Sequence, residues 1–112
     1  MEFSEIQTLI EANAERYAKK HGINFNREFL VCKLMEEVGE FTQALLIFDN
    51  QCRLEKRLKP ALAKEHVEQE LADILNSVFL IAATLDIDLY TALDKKILEK
   101  GRVYLQEQNK NV

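Results

Sequence analysis

The sequence predicts an all-α protein, a four-helix bundle-like domain, and three observations carry that expectation. Only three glycines and one proline punctuate 112 residues, too few for the closely spaced turns of a sandwich or barrel. Apolar side chains recur at three- and four-residue steps, the period of a helix with one buried stripe. Between the periodic runs lie helix starts and stops: a polar cap ahead of a run, a glycine behind one, a proline opening another.

The first helix is expected from Ser4, with Gln7 as its capping-box partner, to about His21, where Gly22 stops it. Ile6, Ile10, Ala14 and Tyr17 form its stripe. Asn26 reads as the next N-cap, and an apolar-periodic run follows from Phe29 to Phe48 before Asp49-Asn50 weakens the pattern. On a helical wheel Leu34, Val38, Phe41 and Leu45 define its core face, with Leu30, Val31 and Phe48 beside them. Residues 49–59 form the one substantial connection and are read as partly helical. Pro60 suits the first turn of a third helix, where its missing N–H is not needed. That helix should reach about Leu85, with Val67, Leu71, Ile74, Leu75, Val78 and Ala82 as its core face. Asp88 caps a fourth helix from Leu89 to about Gln106, which frays into the polar tail Gln108-Asn109-Lys110-Asn111. Neither repeat nor linker interrupts the chain, so residues 1–112 read as one domain.

Composition excludes several classes. Apolar residues at 47% are too many for a disordered chain. A net charge of −4 argues against a polymeric nucleic-acid partner. The longest uncharged run, Ile74 to Leu85, falls well short of the roughly 20 residues a bilayer needs. The acidic N-terminus lacks the pattern of a secretion signal. Cys32 and Cys52 have no metal-ligand or CxxC spacing and read as free thiols of a cytoplasmic protein. Val78 to Ala83 is apolar on every side, so a second copy is expected to help bury it. Leu80, pointing away from the expected core face, is the residue expected at that homodimer interface.

Some carboxylates are out of place. Glu37 lies only about 60° from Leu34 on the wheel, against the apolar stripe. Glu40 is three residues on, and Glu36 points further towards solvent. Glu70 flanks the core face of the third helix, with Asp73 on the same side. Side chains three apart share a helix face with Cβ atoms about 5–6 Å apart. Two such pairs on antiparallel neighbours can therefore converge. Four carboxylates in one place repel one another, and a hard divalent cation such as Mg²⁺ or Mn²⁺ relieves them. The plainer alternative is two solvated acidic faces salt-bridged to Lys33 or to basic residues near Arg53.

From Lys33 to Phe41 the chain reads KLMEEVGEF, and from Glu70 to Leu75 it reads ELADIL. Together these resemble the MazG-like all-α nucleoside triphosphate pyrophosphohydrolases, whose motif is ExxE on one helix and ExxD on the next. Glu37/Glu40 and Glu70/Asp73 stand at those positions. Leu85 to Leu89 is similar to the family's short turn into its last helix, and the likeness spans about residues 27 to 102. The resemblance implies a bundle whose four acids hold Mg²⁺, which holds a triphosphate. It implies cleavage between the α- and β-phosphates, giving a nucleoside monophosphate and pyrophosphate. It also allows a tetramer built from two dimers. Metal ions would screen the phosphates and lower the pKa of an attacking water. Glu37 and Glu40 are the two candidates to take that water's proton.

The chain departs from the family between the motifs, where the connection from 40 to 70 is long, and on the last helix, where Gly101 stands at a place expected to hold Asn. Lys96 and Lys100, four apart, share a face and could meet phosphate oxygens as point charges. Asn76 is a candidate for base or sugar contact. Arg53, Lys56, Arg57, Lys59 and Lys64 could fold over the triphosphate, Arg57 among them as a substrate contact. His66 fits an ion pair with Glu70 or a ligand. A di-iron bundle needs Glu-x-x-His on two helices; His21 and His66 follow Ala18 and Ala63 instead. The remaining rivals are a phosphoribosyl-ATP pyrophosphohydrolase and a non-catalytic helical adaptor.

Overall fold

The computed structural model describes residues 1–110. They form α1 (Phe3–His21), α2 (Arg27–Phe48), α3 (Pro60–Thr84), α4 (Leu89–Leu93) and α5 (Glu99–Lys110). A single 3₁₀ turn, Leu54–Lys56, interrupts the connection between α2 and α3. No strand forms among the described residues, so the protein is all-α. Among the described residues no helix is long and apolar enough to cross a membrane.

Most of the expected punctuation operates. Gly22 takes a left-handed φ of 63°, and its N–H closes α1 onto the Ala18 carbonyl. The Asn26 side chain accepts the Phe29 N–H at 2.9 Å and starts α2. Pro60 occupies the first turn of α3. The Asp88 carboxylate accepts both the backbone N–H and the hydroxyl of Thr91, at 3.1 and 2.7 Å. The start of α1 differs. It begins at Phe3, and Ser4 lies inside it rather than capping it, with no side-chain cap at Glu2. The reason is packing. The Phe3 ring lies 5.0 Å from Phe79 and 5.5 Å from Tyr90 between ring centres, and that burial draws the helix one residue earlier.

The last helix also differs. It does not fray near Gln106 but stays helical to Lys110, and a π-helical stretch, Asp94–Leu98, joins α4 to α5. Arg102 donates to Asp94 at 2.7 Å and spans that stretch. Asn111, the end of the expected tail, lies outside the described residues.

The framework is the α2–α3 hairpin, two antiparallel helices in extended contact, with α1 laid against α3. Small residues sit along the hairpin, Ala44 on α2 and Ala63 and Ser77 on α3, all buried. They let the backbones approach and rotate both helices away from the expected core faces. Leu30, Leu34 and Phe41 are buried or half-buried, whereas Val31, Val38 and Leu45 are exposed. On α3 the expected face holds in part: Val67, Ile74 and Val78 are half-buried and Ala82 is buried, whereas Leu71 and Leu75 are 49% and 55% exposed. Leu80, expected at an interface with a second chain, is only 8% exposed and belongs to the core of this one. It borders α1, beside Ala14 and Phe25.

Phe79 is the largest buried side chain and ties α3 to α1. Phe79→Ala should cost about 3–5 kcal/mol, as a lost transfer term plus a cavity. The expected result is a clear fall in the urea midpoint; an unchanged midpoint would show that α1 is not part of the cooperative unit.

Candidate metal centre

Rotation of the hairpin moves the acidic residues inward. Glu37 lies on the side of α2 that meets α3, in register with Leu30, Leu34, Phe41 and Ala44. Glu70 occupies the matching side of α3, in register with Ala63 and Ser77. Each of these two glutamate side chains is only 12% exposed. Carboxylate oxygens of Glu37, Glu70 and Asp73 all lie within 4.8 Å of one another, and so do those of Glu36, Glu37 and Glu40. The structure therefore gathers the two expected i, i+3 pairs, from two helices, into one place.

Compensation is incomplete. Lys33 Nζ lies 2.7 Å from Glu36 Oε1 and 3.6 Å from Glu37 Oε1. His66 Nε2 lies 3.3 Å from Glu70 Oε1, which realises the ion-pair geometry expected for that histidine. These partners meet one oxygen of each buried glutamate. The other, Oε2 of Glu37 and Oε2 of Glu70, is buried with no hydrogen-bond partner. Burial pushes the Glu37 carboxyl above its ordinary pKa; Glu40 beside it and the charge of Asp73 add to this, and Lys33 partly opposes it. Burial likewise raises Glu70, with the charges of Glu40 and Asp73 adding and His66 opposing. A buried carboxylate oxygen without a donor is costly. Unpartnered carboxylate oxygens within one acidic cluster from two helices are the donor set that hard, oxygen-seeking cations take. The residues fit Mg²⁺ or Mn²⁺.

A cavity of about 460 Å³ opens beside the acids, between α1, α2 and α3. Glu37, Asp73 and Lys33 line it together with Tyr17, Phe25 and Phe29, and Asn13 of α1 and Asn76 of α3 line it too. Phe25 and Phe29 stack at 4.9 Å, and Tyr17 is 6.0 Å from Phe25. Asn76, a candidate for base or sugar contact, thus lines the cavity. The aromatic wall was not anticipated. Tyr17 reads as core from its stripe but is exposed at the cavity. Phe25 and Phe29 flank a helix cap, and their placement one residue before and three residues after Asn26 is the signal that was there to be read.

The basic candidates are placed differently. Neither Lys96 nor Lys100 lines this cavity; Lys100 borders a shallow surface pocket with Glu99 and Val103 of its own helix. Arg57 donates to the Asn50 carbonyl at 3.5 Å and closes the 49–59 connection on itself. Arg53 and Lys56 border another pocket, with Gln43 and Cys52. Lys33 is the cation that the fold brings to the acids.

No family model matches the chain, and comparison with curated proteins yields no match. The geometry and the motifs stand by themselves.

Proposed function

We propose that this protein is a MazG-like nucleoside triphosphate pyrophosphohydrolase, cleaving ribo- or deoxyribonucleoside triphosphates to the monophosphate and pyrophosphate with Mg²⁺. The observation that carries the reading is the pair of buried, unpartnered carboxylate oxygens on Glu37 and Glu70, with Glu37 and Asp73 also lining an aromatic-walled cavity. Its volume, about 460 Å³, lies in the usual range for a small-molecule site. Acidic side chains for cations and aromatic faces for a base, lining one cavity, match the two halves of a nucleotide.

In this reading Glu37, Glu70 and Asp73 hold the cation, with Glu40 at the margin. Bound there, Mg²⁺ supplies charge neutralisation for the triphosphate and acidifies a water. Glu37 and Glu40 remain the candidates to take the proton from that water as it attacks the α-phosphorus. Glu40, exposed and outside the Glu37–Glu70–Asp73 group, is the better placed of the two. Tyr17, Phe25 and Phe29 offer faces on which a base can stack, and the Asn13 and Asn76 amides offer hydrogen bonds to its edge. Lys33 faces the phosphates. Lys96, Lys100 and Arg57 belong to the proposal as further phosphate contacts, delivered by movement of the connection or by another subunit. Self-association to a homodimer or tetramer and a cytoplasmic setting belong to it too, the latter consistent with the free thiols Cys32 and Cys52.

A panel of nucleoside triphosphates, with phosphoribosyl-ATP included, tests it by product identity. Monophosphate plus pyrophosphate from at least one nucleoside triphosphate is expected. Turnover of phosphoribosyl-ATP alone would move the assignment to that sister activity, and diphosphate plus phosphate would contradict attack at the α-phosphorus.

A further inference from the structure

We infer that the tip of the α2–α3 hairpin, residues 53–64, docks on an anionic lipid surface, its lysines and arginines among the headgroups and its exposed leucines at the acyl boundary. This goes beyond the catalytic reading and does not depend on it.

The segment differs from the rest of the chain in both charge and apolar exposure. It carries Arg53, Lys56, Arg57, Lys59 and Lys64 against Glu55 alone, a net charge of +4 in a chain of net −4, so the remainder is net −8. None of the five cations forms an ion pair among the described residues. Between them stand Leu54, Leu58 and Leu62, which are 75%, 40% and 52% exposed. A single exposed leucine is ordinary. Three in succession, each within two residues of a cation, form a mixed basic and apolar patch. The end of α2 extends it, since Leu46 and Ile47 border one shallow depression with Arg53 and Lys56. The exposure is built into the backbone. The N–H groups of Lys56 and Arg57 close the 3₁₀ turn on the Arg53 and Leu54 carbonyls, at 2.9 and 3.2 Å, and Pro60 fixes the entry into α3. Leu54 is thereby held in the open.

Charge and apolar exposure together select the occupant. A nucleic-acid backbone would engage the cations and leave the leucines in water. A groove on another protein reads side chains at a helix or strand repeat. These leucines stand instead on a 3₁₀ turn, on the irregular link after it and in the first turn of α3. A lipid interface demands no repeat. Lys and Arg leave their charge among the headgroups while their stems, and the leucines, reach the acyl boundary. A cluster of about four to eight basic residues is what anionic leaflets attract. The remainder of the chain, at net −8, is repelled by such a leaflet, so the hairpin approaches it end-on. Asp49 and Glu65 bound the patch. Glu40, the acid of the candidate metal centre nearest this end of α2, lies eight residues before Phe48, about 12 Å along the helix. That is beyond the roughly 8 Å over which charge acts at physiological salt.

Vesicle flotation of the intact protein tests this. Binding is expected to vesicles of phosphatidylcholine mixed with phosphatidylserine and not to phosphatidylcholine alone. It should fall away at about 1 M salt, where charge acts over only about 3 Å. Each lysine near an anionic surface is worth about a five-fold change in partition. Lys56→Gln combined with Lys64→Gln should therefore weaken binding about 25-fold. Leu54→Ser should weaken it too, and because all three side chains are exposed the circular dichroism of these variants should match the parent's. Arg57, a candidate substrate contact, is left unchanged. The chain has no tryptophan, so Leu54→Trp reports on the apolar half, and its emission should shift to the blue on the mixed vesicles. No flotation with phosphatidylserine, equal flotation on both vesicles, or flotation indifferent to the lysine pair overturns the inference. An unshifted Trp emission, or retention on double-stranded DNA as strong as on vesicles and unaffected by Leu54→Ser, would make the tip a general polyanion patch and overturn the lipid assignment.

Discussion

Glu70→Gln is expected to yield an inactive protein that, without metal, is more stable than its parent. In the parent, burial and the charges of Glu40 and Asp73 oppose ionisation of Glu70 and raise its pKa. The amide removes the charge and keeps the shape. Its NH₂ can also donate to the carboxylates of Glu40 or Asp73, whereas the parent's Oε2 finds no donor. The pH dependence has a definite sign. A carboxyl whose folded pKa is raised stabilises the fold below its unfolded value of 4.5, and that contribution is lost as pH rises through the folded pKa. Glu37 behaves in the same way. The metal-free parent should therefore gain stability as pH falls from neutral towards about 5, and Glu70→Gln should show a flatter profile. Asp88 has the opposite shift, lowered by its bonds to Thr91, so its contribution is lost only as pH falls further. Urea melts across that range check this. Turnover should fall on the order of a hundred-fold or more, since residues that merely support a metal ligand already cost about 10–100-fold. A metal-free variant much less stable than the parent would make Glu70 a structural partner and favour an adaptor bundle.

Mg²⁺ should raise the melting temperature of the wild-type protein substantially. A ligand at a hundred times its Kd stabilises the folded state by about 2.7 kcal/mol. For a domain near this size each kcal/mol is worth about 4–8 °C, so a shift on the order of 10 °C is expected. The gain arises because the cation meets Glu37 Oε2 and Glu70 Oε2, which the protein leaves unpartnered. Asp73→Asn should lose most of the shift, and Ca²⁺ should reproduce less of it if the site is as compact as the 4.8 Å spacing indicates. An equal shift in parent and variant would place the ion elsewhere.

The sequence made the helices legible because caps and stops act locally. Gly22, Asn26, Pro60 and Asp88 each mark a boundary within a residue of where it falls. Ser4 misled because the pull on Phe3 comes from Phe79 and Tyr90, far along the chain. The acidic cluster was legible for the same geometric reason as the helices: residues three apart share a face, and Glu37 and Glu70 sit against apolar stripes. The rotation of those stripes was not legible. A wheel gives the mean direction of an apolar face, and the small buried residues Ala44, Ala63 and Ser77 turn the helices off that direction. Leu80 was assigned to the wrong side for that reason. The aromatic wall was hidden because Tyr17, Phe25 and Phe29 come from two helices and the link between them, and no spacing rule connects them. The π-helical stretch at Asp94–Leu98 has no marker in its residues.

The central claim is that the four carboxylates serve a metal-dependent attack on a nucleotide. Pyrophosphate release from the nucleoside triphosphate panel, with and without Mg²⁺, beside a Glu37→Gln control, tests it most directly. The account predicts release that requires Mg²⁺ and disappears in the control. Release without added metal and equal in the control, or silence across the whole panel from a folded protein, would contradict it.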